Sequence, residues 1–576
     1  MPPPLYPQPC AKAVTGSSIA QLRRLAASSL IAYDHDRGRY TIHELLRQFA
    51  ALRLDEAPDR VEIVRTRHSD FYLDLLYRRQ NALKSRALQS DLQVLDAEID
   101  NLSQAWKWAT ANHCVEGIGK TLDGLGLYLR WRGRVVEGET AFLSAANALR
   151  CMGHNMHYVR ALAWQSTFTR TLGKAEDVLP LIHDSLQRLD AGDAVTESTD
   201  EEDLRSTRAF VLLQMGALEA VRDTDAAETY YEESLALFTA TNEPWFAAEA
   251  LLGLGHVSLV QGEFDRQRDY VQQALDTYRT LGNVRGTASA LSMLADIDSY
   301  RGRLMSGLEL GHEGLMMFRS MGDAMGTATS LARLSMTYMN LGDIENARDM
   351  ANDSLFLFKE LGSRRDVVIV YAFLCAIGLM AGEYAQALVN AERSLEIADT
   401  VDDQFVRGVA IGFRGWAQLY NDDAKGALKT LREAVTITTA TGAAMDSVRW
   451  YSQLAYVEWR NGQGVPARYH CYKAVQIAAE VADPWSLLTA ISTTAVILSE
   501  GEDPALAVAL HYMLLQDPLC TASQWYVDGI MPHVEAASRM LTKEQLRAAK
   551  QRGADLKQHK EITRLRDELA SLDWPE

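Results

Sequence analysis

The sequence predicts an all-α chain: an α-solenoid of about ten helical hairpins with a 40-residue period. Three observations carry this expectation. Glycine or aspartate recurs at a constant step, at Gly262, Gly302, Gly342, Gly382, Asp422, Gly462 and Gly501. A second series, Gly282, Gly322, Gly362, Asp402 and Gly442, falls half a period later. Proline is scarce, 14 in 576 residues, as long uninterrupted helices require. Gly and Asp tolerate the left-handed backbone that ends a helix, so each landmark is one helix stop. Two stops per period give two helices per unit. A lone hairpin cannot bury its apolar face, whereas stacked neighbours bury a continuous core.

Residues 1–15, MPPPLYPQPCAKAVT, lack the apolar run of a secretory signal and are expected to form a disordered leader. Within 16–56, SIAQLRRLAASSL has helical spacing, and IAYDHDRGRYTIH alternates like a two-stranded hairpin about the turn DHDRG. HELLRQFAALRL then continues as helix. Residues 57–119 are expected to be a helical linker, 120–517 the repeats and 518–576 a helical cap. Gly133 and Gly173 extend the ruler backward, and the acidic stretch AGDAVTESTDEED (191–203) absorbs an insertion as a solvated loop. VVIVYAFLCAIGLMAG (367–382) is uncharged but shorter than the roughly 20 residues that cross a bilayer, so it is predicted to be a buried helix.

The net charge of −18 and pI near 5.3 argue against a nucleic-acid surface, which needs clustered Lys and Arg. Six cysteines without CxxC spacing indicate neither a zinc site nor a disulfide framework. Reduced thiols in the cytoplasm, with no membrane contact, are the expectation.

Several motifs imitate chemistry. CVEGIGKT (114–121) contains GIGKT, but a phosphate loop needs glycine where Cys114 stands and a strand where SQAWKWATANH reads as helix. Cys151, His154 and His157 lack a fourth metal ligand. His43 and Glu44 read as a cap where strand meets helix, and Asp100 and Asn101 as structural contacts. No catalytic constellation is found, so neither enzyme activity, cofactor nor metal is expected.

Recognition is expected on the concave face, lined by the first helix of each unit. Aligning on the turn glycine gives His256, Asp296, Met336, Ala376, Trp416 and Tyr456, and three residues on Leu259, Ser299, Met339, Leu379, Leu419 and Trp459. The candidate binding residues are Met336, Met339, Trp416, Tyr420, Arg449, Tyr456, Trp459 and Arg460. Met supplies a soft floor, and aromatics with Arg dominate binding hot spots. The alternative role for several of them is inter-repeat core.

LGDIENA (341–347) resembles the xLGDxxxA turn of tetratricopeptide repeats, although those are about 34 residues long. The longer unit resembles the repeats in the sensor superhelix of MalT-type regulators. Arg39, Tyr40, His43, Glu44, Leu45, Leu46, Arg47, Gln48 and Phe49 resemble the winged-helix segment that follows the NB-ARC ATPase in bacterial STAND regulators, AfsR-like ones included. Within RHSDFYLDLL (67–76) and DAEIDNLSQAWKWA (96–109) the likeness continues, with Glu98, Asp100, Asn101, Leu102 and Trp106 matching. ASRMLTKEQLRAAKQRGADL (537–556) is similar to the tail closing such sensor regions.

The resemblance implies a partial winged-helix module joined to a sensor superhelix, without the ATPase. The function it implies is a non-enzymatic sensor that binds an inducer, peptide or protein and biases an ATPase switch domain in cis or trans. A stand-alone scaffold for peptides or proteins is the alternative, and a nucleotide-dependent switch through GIGKT the third reading.

Overall fold

The computed structural model describes residues 5–34, 39–152, 155–172, 174–190, 201–220, 222–401, 403–481, 483–500 and 503–570. These residues form thirty α-helices and three short strands. The chain divides into two compact units, one of residues 1–168 and 181–207, the other of 169–180 and 208–576.

In the first unit, helix Ile19–Ala27, strands Ala32–Asp34 and Arg39–Thr41, and helix Glu44–Asp55 follow in the order expected. The turn residues 35–38 lie outside the described residues. Residues 5–15 depart from the expected disordered leader. Leu5–Pro7 adds a third antiparallel strand, with Tyr6 opposite Tyr40, and Gln8–Thr15 is helical. The physical reason is an unpaired edge: Arg39–Thr41 has Ala32–Asp34 on one side and backbone groups to satisfy on the other. Pro7, lacking an N–H, is tolerated because its strand is the outer one. Residues 1–4 lie outside the described residues.

The small sheet is tied to the long helix Leu88–Ala111 by charge. Arg39 pairs with buried Glu98 and donates to the Ala97 carbonyl at 3.0 Å, while Asn101 Nδ2 donates to Glu98 Oε2 at 2.8 Å. His43 Nδ1 accepts from the Leu45 amide at 3.3 Å, and Glu44 pairs with Arg47 at 2.6 Å. His43 and Glu44 therefore cap a helix. Glu98 joins helix to sheet, and Asn101 braces it from the same helix.

The second unit carries the regular array. From Pro244 the first helices are Pro244–Gln261, Val284–Tyr300, Ala324–Asn340, Arg364–Ala381, Gln404–Tyr420, Ala444–Arg460 and Pro484–Ser499. Between them run Phe264–Leu281, Leu304–Met321, Ile344–Glu360, Tyr384–Ala398, Ala424–Ala440 and Gly464–Val481. The landmark turns from Gly262 to Gly462 have positive φ, between 62° at Asp422 and 79° at Gly262. Asp402, Gly173, Gly501 and the loop core 191–200 lie outside the described residues.

Asn283, Asp323, Asp403 and Asp483 cap the first helices, each side chain accepting a backbone N–H. Two of these caps also link neighbouring units. Arg285 Nε donates to Asp323 at 2.7 Å, and Arg365 Nε donates to Asp403 at 2.9 Å. Hydroxyl pairs Ser292–Ser330 and Ser299–Thr337, at 3.1 and 2.8 Å, bring adjacent first helices close.

The apolar run 367–382 is buried as expected: Val368, Ala372, Cys375 and Ala376 are fully buried. No described helix is long and apolar enough to cross a membrane. The C-terminal helices belong to the same core as the repeats, which Trp525, Ile530, Val534, Ile562 and Leu565 help to fill.

Candidate functional site

Two features define the interior of the second unit. The array curves until the turn at Gly262 meets Val481, with a Cβ on Gly262 falling 3.4 Å from the Val481 Cα. The first helices thus line the inside of this curve, its lumen, where charged residues of successive helices come near one another. Arg333 Nη1 stands 2.9 Å from Asp296 Oδ2. The Tyr300 hydroxyl is held protonated, foremost by burial and then by the nearby Asp296 and Asp483, against the pull of Arg449 and Arg333.

The His256 side chain is exposed on its own helix, but it stands among other parts of the unit, with Arg365, Arg333 and Arg170 close enough to act on it. Desolvation first, then the charges of Arg365, Arg333 and Arg170, lower its pKa to about 4, so at neutral pH it is an uncharged donor and acceptor. Asp296 shows the opposite shift. Burial raises it to about 6 although Arg333 pulls it down. Asp446 is also raised, by burial and by Asp483, and Arg449 opposes this. The lumen therefore offers arginines, carboxylates shifted toward their protonated form and a neutral imidazole. Such a set can pair with charged side chains and bridge backbone amides of an extended chain.

The sequence-predicted candidates divide. Met336 is half-buried on the first helix carrying Arg333, while Met339 is 2% exposed and lies in the inter-helix core. Trp416 is fully buried, packed edge-on against Trp450 and Trp525 and tilted against Trp485. Arg449 is 8% exposed, bound to Asp446 at 2.6 Å with its guanidinium over Trp485.

Tyr420 and Tyr456 donate to the carbonyls of Trp525 and Gly529, at 3.1 and 2.8 Å. Trp459 packs edge-on to His533, centroids 4.7 Å apart, and exposed Arg460 lies over the Tyr456 ring. The aromatic end of the predicted track is thus occupied by the chain's own helices Gln524–Gly529 and Met531–Met540. Against these helices Tyr456 is buried and Tyr420 and Trp459 are half-buried, while Arg460 stays exposed. Of the alignment, His256 and Asp296 reach the lumen. Arg333, one helical turn before Met336, was missed, and so was Arg365; the recurrence of Arg285 and Arg365 ahead of Asp323 and Asp403 was the available signal.

The imitating motifs have other roles. GIGKT lies inside helix Val115–Trp131, preceded by helix Leu88–Ala111, and Lys120 pairs with Glu116 one turn back. A Cβ on Gly119 would meet the His157 ring at 2.5 Å, so this glycine serves helix packing. His154 lies outside the described residues, and no cluster of metal-ligating side chains occurs among the described ones.

The fold and the lumen define a tetratricopeptide-type helical repeat array. A tetratricopeptide repeat family model matches residues 328–355. No curated protein matches the chain by sequence. Among solved structures, a Rap protein complexed with competence and sporulation factor is similar, with TM-score 0.52 at 16% identity, covering 64% of this chain and 99% of that one. A STAND protein with a tetratricopeptide repeat sensor, from Pyrococcus horikoshii, gives TM-score 0.35 at 13% identity, covering 80% of this chain and 58% of that one. The quorum sensor NprR in complex with its cognate peptide gives 0.35 at 12%, covering 72% and 98%.

Proposed function

We propose that the chain is a non-enzymatic recognition module, in which the lumen of the second unit binds an extended peptide or protein segment. The observation that supports this most is the cluster of His256, Asp296 and Arg333 on the inner side of a curved array of first helices. Charged groups within a partly dry lumen discriminate strongly, because a wrong partner leaves them unpaired. The likeness to a Rap protein solved with a bound factor agrees with this reading.

The finer role is that of a sensor for a STAND-type signalling or transcription regulator in the cytoplasm. Binding in the lumen would favour one curvature of the array and so bias an ATPase switch domain, in cis or in trans, through a winged-helix joint at residues 16–56. The resemblance of residues 39–49 and 96–109 to such regulators supports this reading. The runner-up is a stand-alone scaffold.

Selection from a random peptide library tests the lumen. Selected peptides are expected to lose at least about tenfold in affinity with Arg333→Glu, and little with Arg393→Glu on a second helix. Equal binding by wild type and Arg333→Glu would exclude the lumen as the site. An ATPase reading frame fused upstream of Met1 in the gene would favour the regulator over the scaffold.

A further inference from the structure

A second site lies in the first unit, independent of the lumen. Helices Gln8–Thr15, Ile19–Ala27, Glu44–Asp55, Pro58–Arg79 and Leu88–Ala111 and the small sheet line a half-open pocket of about 820 Å³. That volume falls in the range of roughly 300–1,000 Å³ that accepts small organic ligands. Its walls are apolar, among them Leu22, Ile42, Leu54, Val64 and Trp108. Arg47, Arg65 and Lys107 line the pocket, with His68 kept uncharged foremost by burial, and among the described residues no Asp or Glu does.

This polarity runs against that of the chain. Residues 1–68 hold ten Lys and Arg against seven Asp and Glu, a net charge of +3 in a chain of −18. Arg47 pairs with Glu44, Arg65 lies over the Trp108 ring at 5.5 Å, and exposed Lys107 has no ion-pair partner among the described residues. A cationic edge beside an apolar hollow is complementary to a molecule with a charged head and an aliphatic tail.

We propose that this pocket binds a monomeric amphipathic anion, an alkyl carboxylate or alkyl phosphate, with its tail against Leu54 and Trp108 and its head at Arg65 and Lys107. Calorimetric titration of the full chain with alkyl carboxylates from butyrate to palmitate tests it. Affinity is expected to rise about fourfold per added methylene until the pocket is full. Dodecanol should bind about tenfold more weakly than laurate, and Lys107→Glu should weaken laurate about tenfold while leaving dodecanol unchanged.

Ala51→Trp, which fills the pocket from its lining, should abolish both. If that variant does not fold, the Lys107→Glu comparison decides alone, since Lys107 is an exposed side chain on a helix. Absence of saturable laurate binding, equal affinity for laurate and dodecanol, or unchanged binding in both variants would overturn the proposal. Sedimentation with phosphatidylglycerol vesicles in the absence of laurate binding would overturn it too, by assigning the basic module to a bilayer surface.

Discussion

Asp296 and His256 sit on neighbouring first helices and titrate with opposite consequences. Asp296 has its pKa raised from 3.8 to about 6, so the folded chain holds this proton more tightly than the unfolded one. Stability from this group is present below about pH 4 and lost as pH rises through 6. His256 is lowered from 6.5 to about 4, so its contribution is intact above 6.5 and lost as pH falls toward 4. Asp296→Asn should therefore gain on the wild type as pH rises from 4 to 7, read as the difference between urea midpoints at the two values. A constant difference would show that Asp296 is not strained by burial. Both residues were legible as lining positions from the repeat alignment. Their shifted chemistry was not, because it depends on how far the array curves around them.

The repeating hairpin is held by small residues at one register of the second helix: Ser234, Ala274, Gly314, Ser354, Ser394, Ala434 and Ala474, all buried. At three of them the hydroxyl donates across the hairpin, Ser234 to Ala209, Ser354 to Ala328 and Ser394 to Val368, each at 2.8 Å. A larger side chain must push the helices apart. Ala434→Leu is expected to cost about 1–3 kcal/mol in chemical unfolding. Ser394→Ala should cost about 1 kcal/mol, through the unpaired Val368 carbonyl. Ala385→Leu, at an exposed position of a second helix, should stay within about 0.5 kcal/mol. Equal effects at 434 and 385 would mean that this register is not the packing seam. The elements were readable because helix stops and small contact positions share one period. The strand at Leu5–Pro7 was not, because a three-residue segment ending in proline gives no pattern until an open sheet edge is beside it.

At the level of the whole second unit, the C-terminal helices form part of the repeat core. Trp525 meets Trp416, and the carbonyls of Trp525 and Gly529 accept from Tyr420 and Tyr456. A Cβ on Gly382, whose φ is +76°, would meet the Gln524 side chain at 2.7 Å, so the cap also lies close over the repeat turns. Trp525→Ala should destabilise the unit by about 3–5 kcal/mol and lower its urea midpoint. A change under about 1 kcal/mol would mean that the cap is loosely held.

The sequence by itself determined the period, the stops and the helical class, since these are local: a left-handed residue ends a helix whatever surrounds it. It also placed His256 and Asp296 on the inner track, since position within a repeat is inherited from its neighbours. Only the tertiary structure decided which inner positions remain open. Curvature brings Gly262 to Val481 and encloses the charged cluster, and the last helices fold back onto Trp416, Tyr420, Tyr456 and Trp459. Both are contacts between residues far apart in the chain, set by the sum of many small angles between packed helices, and no local pattern encodes such a sum.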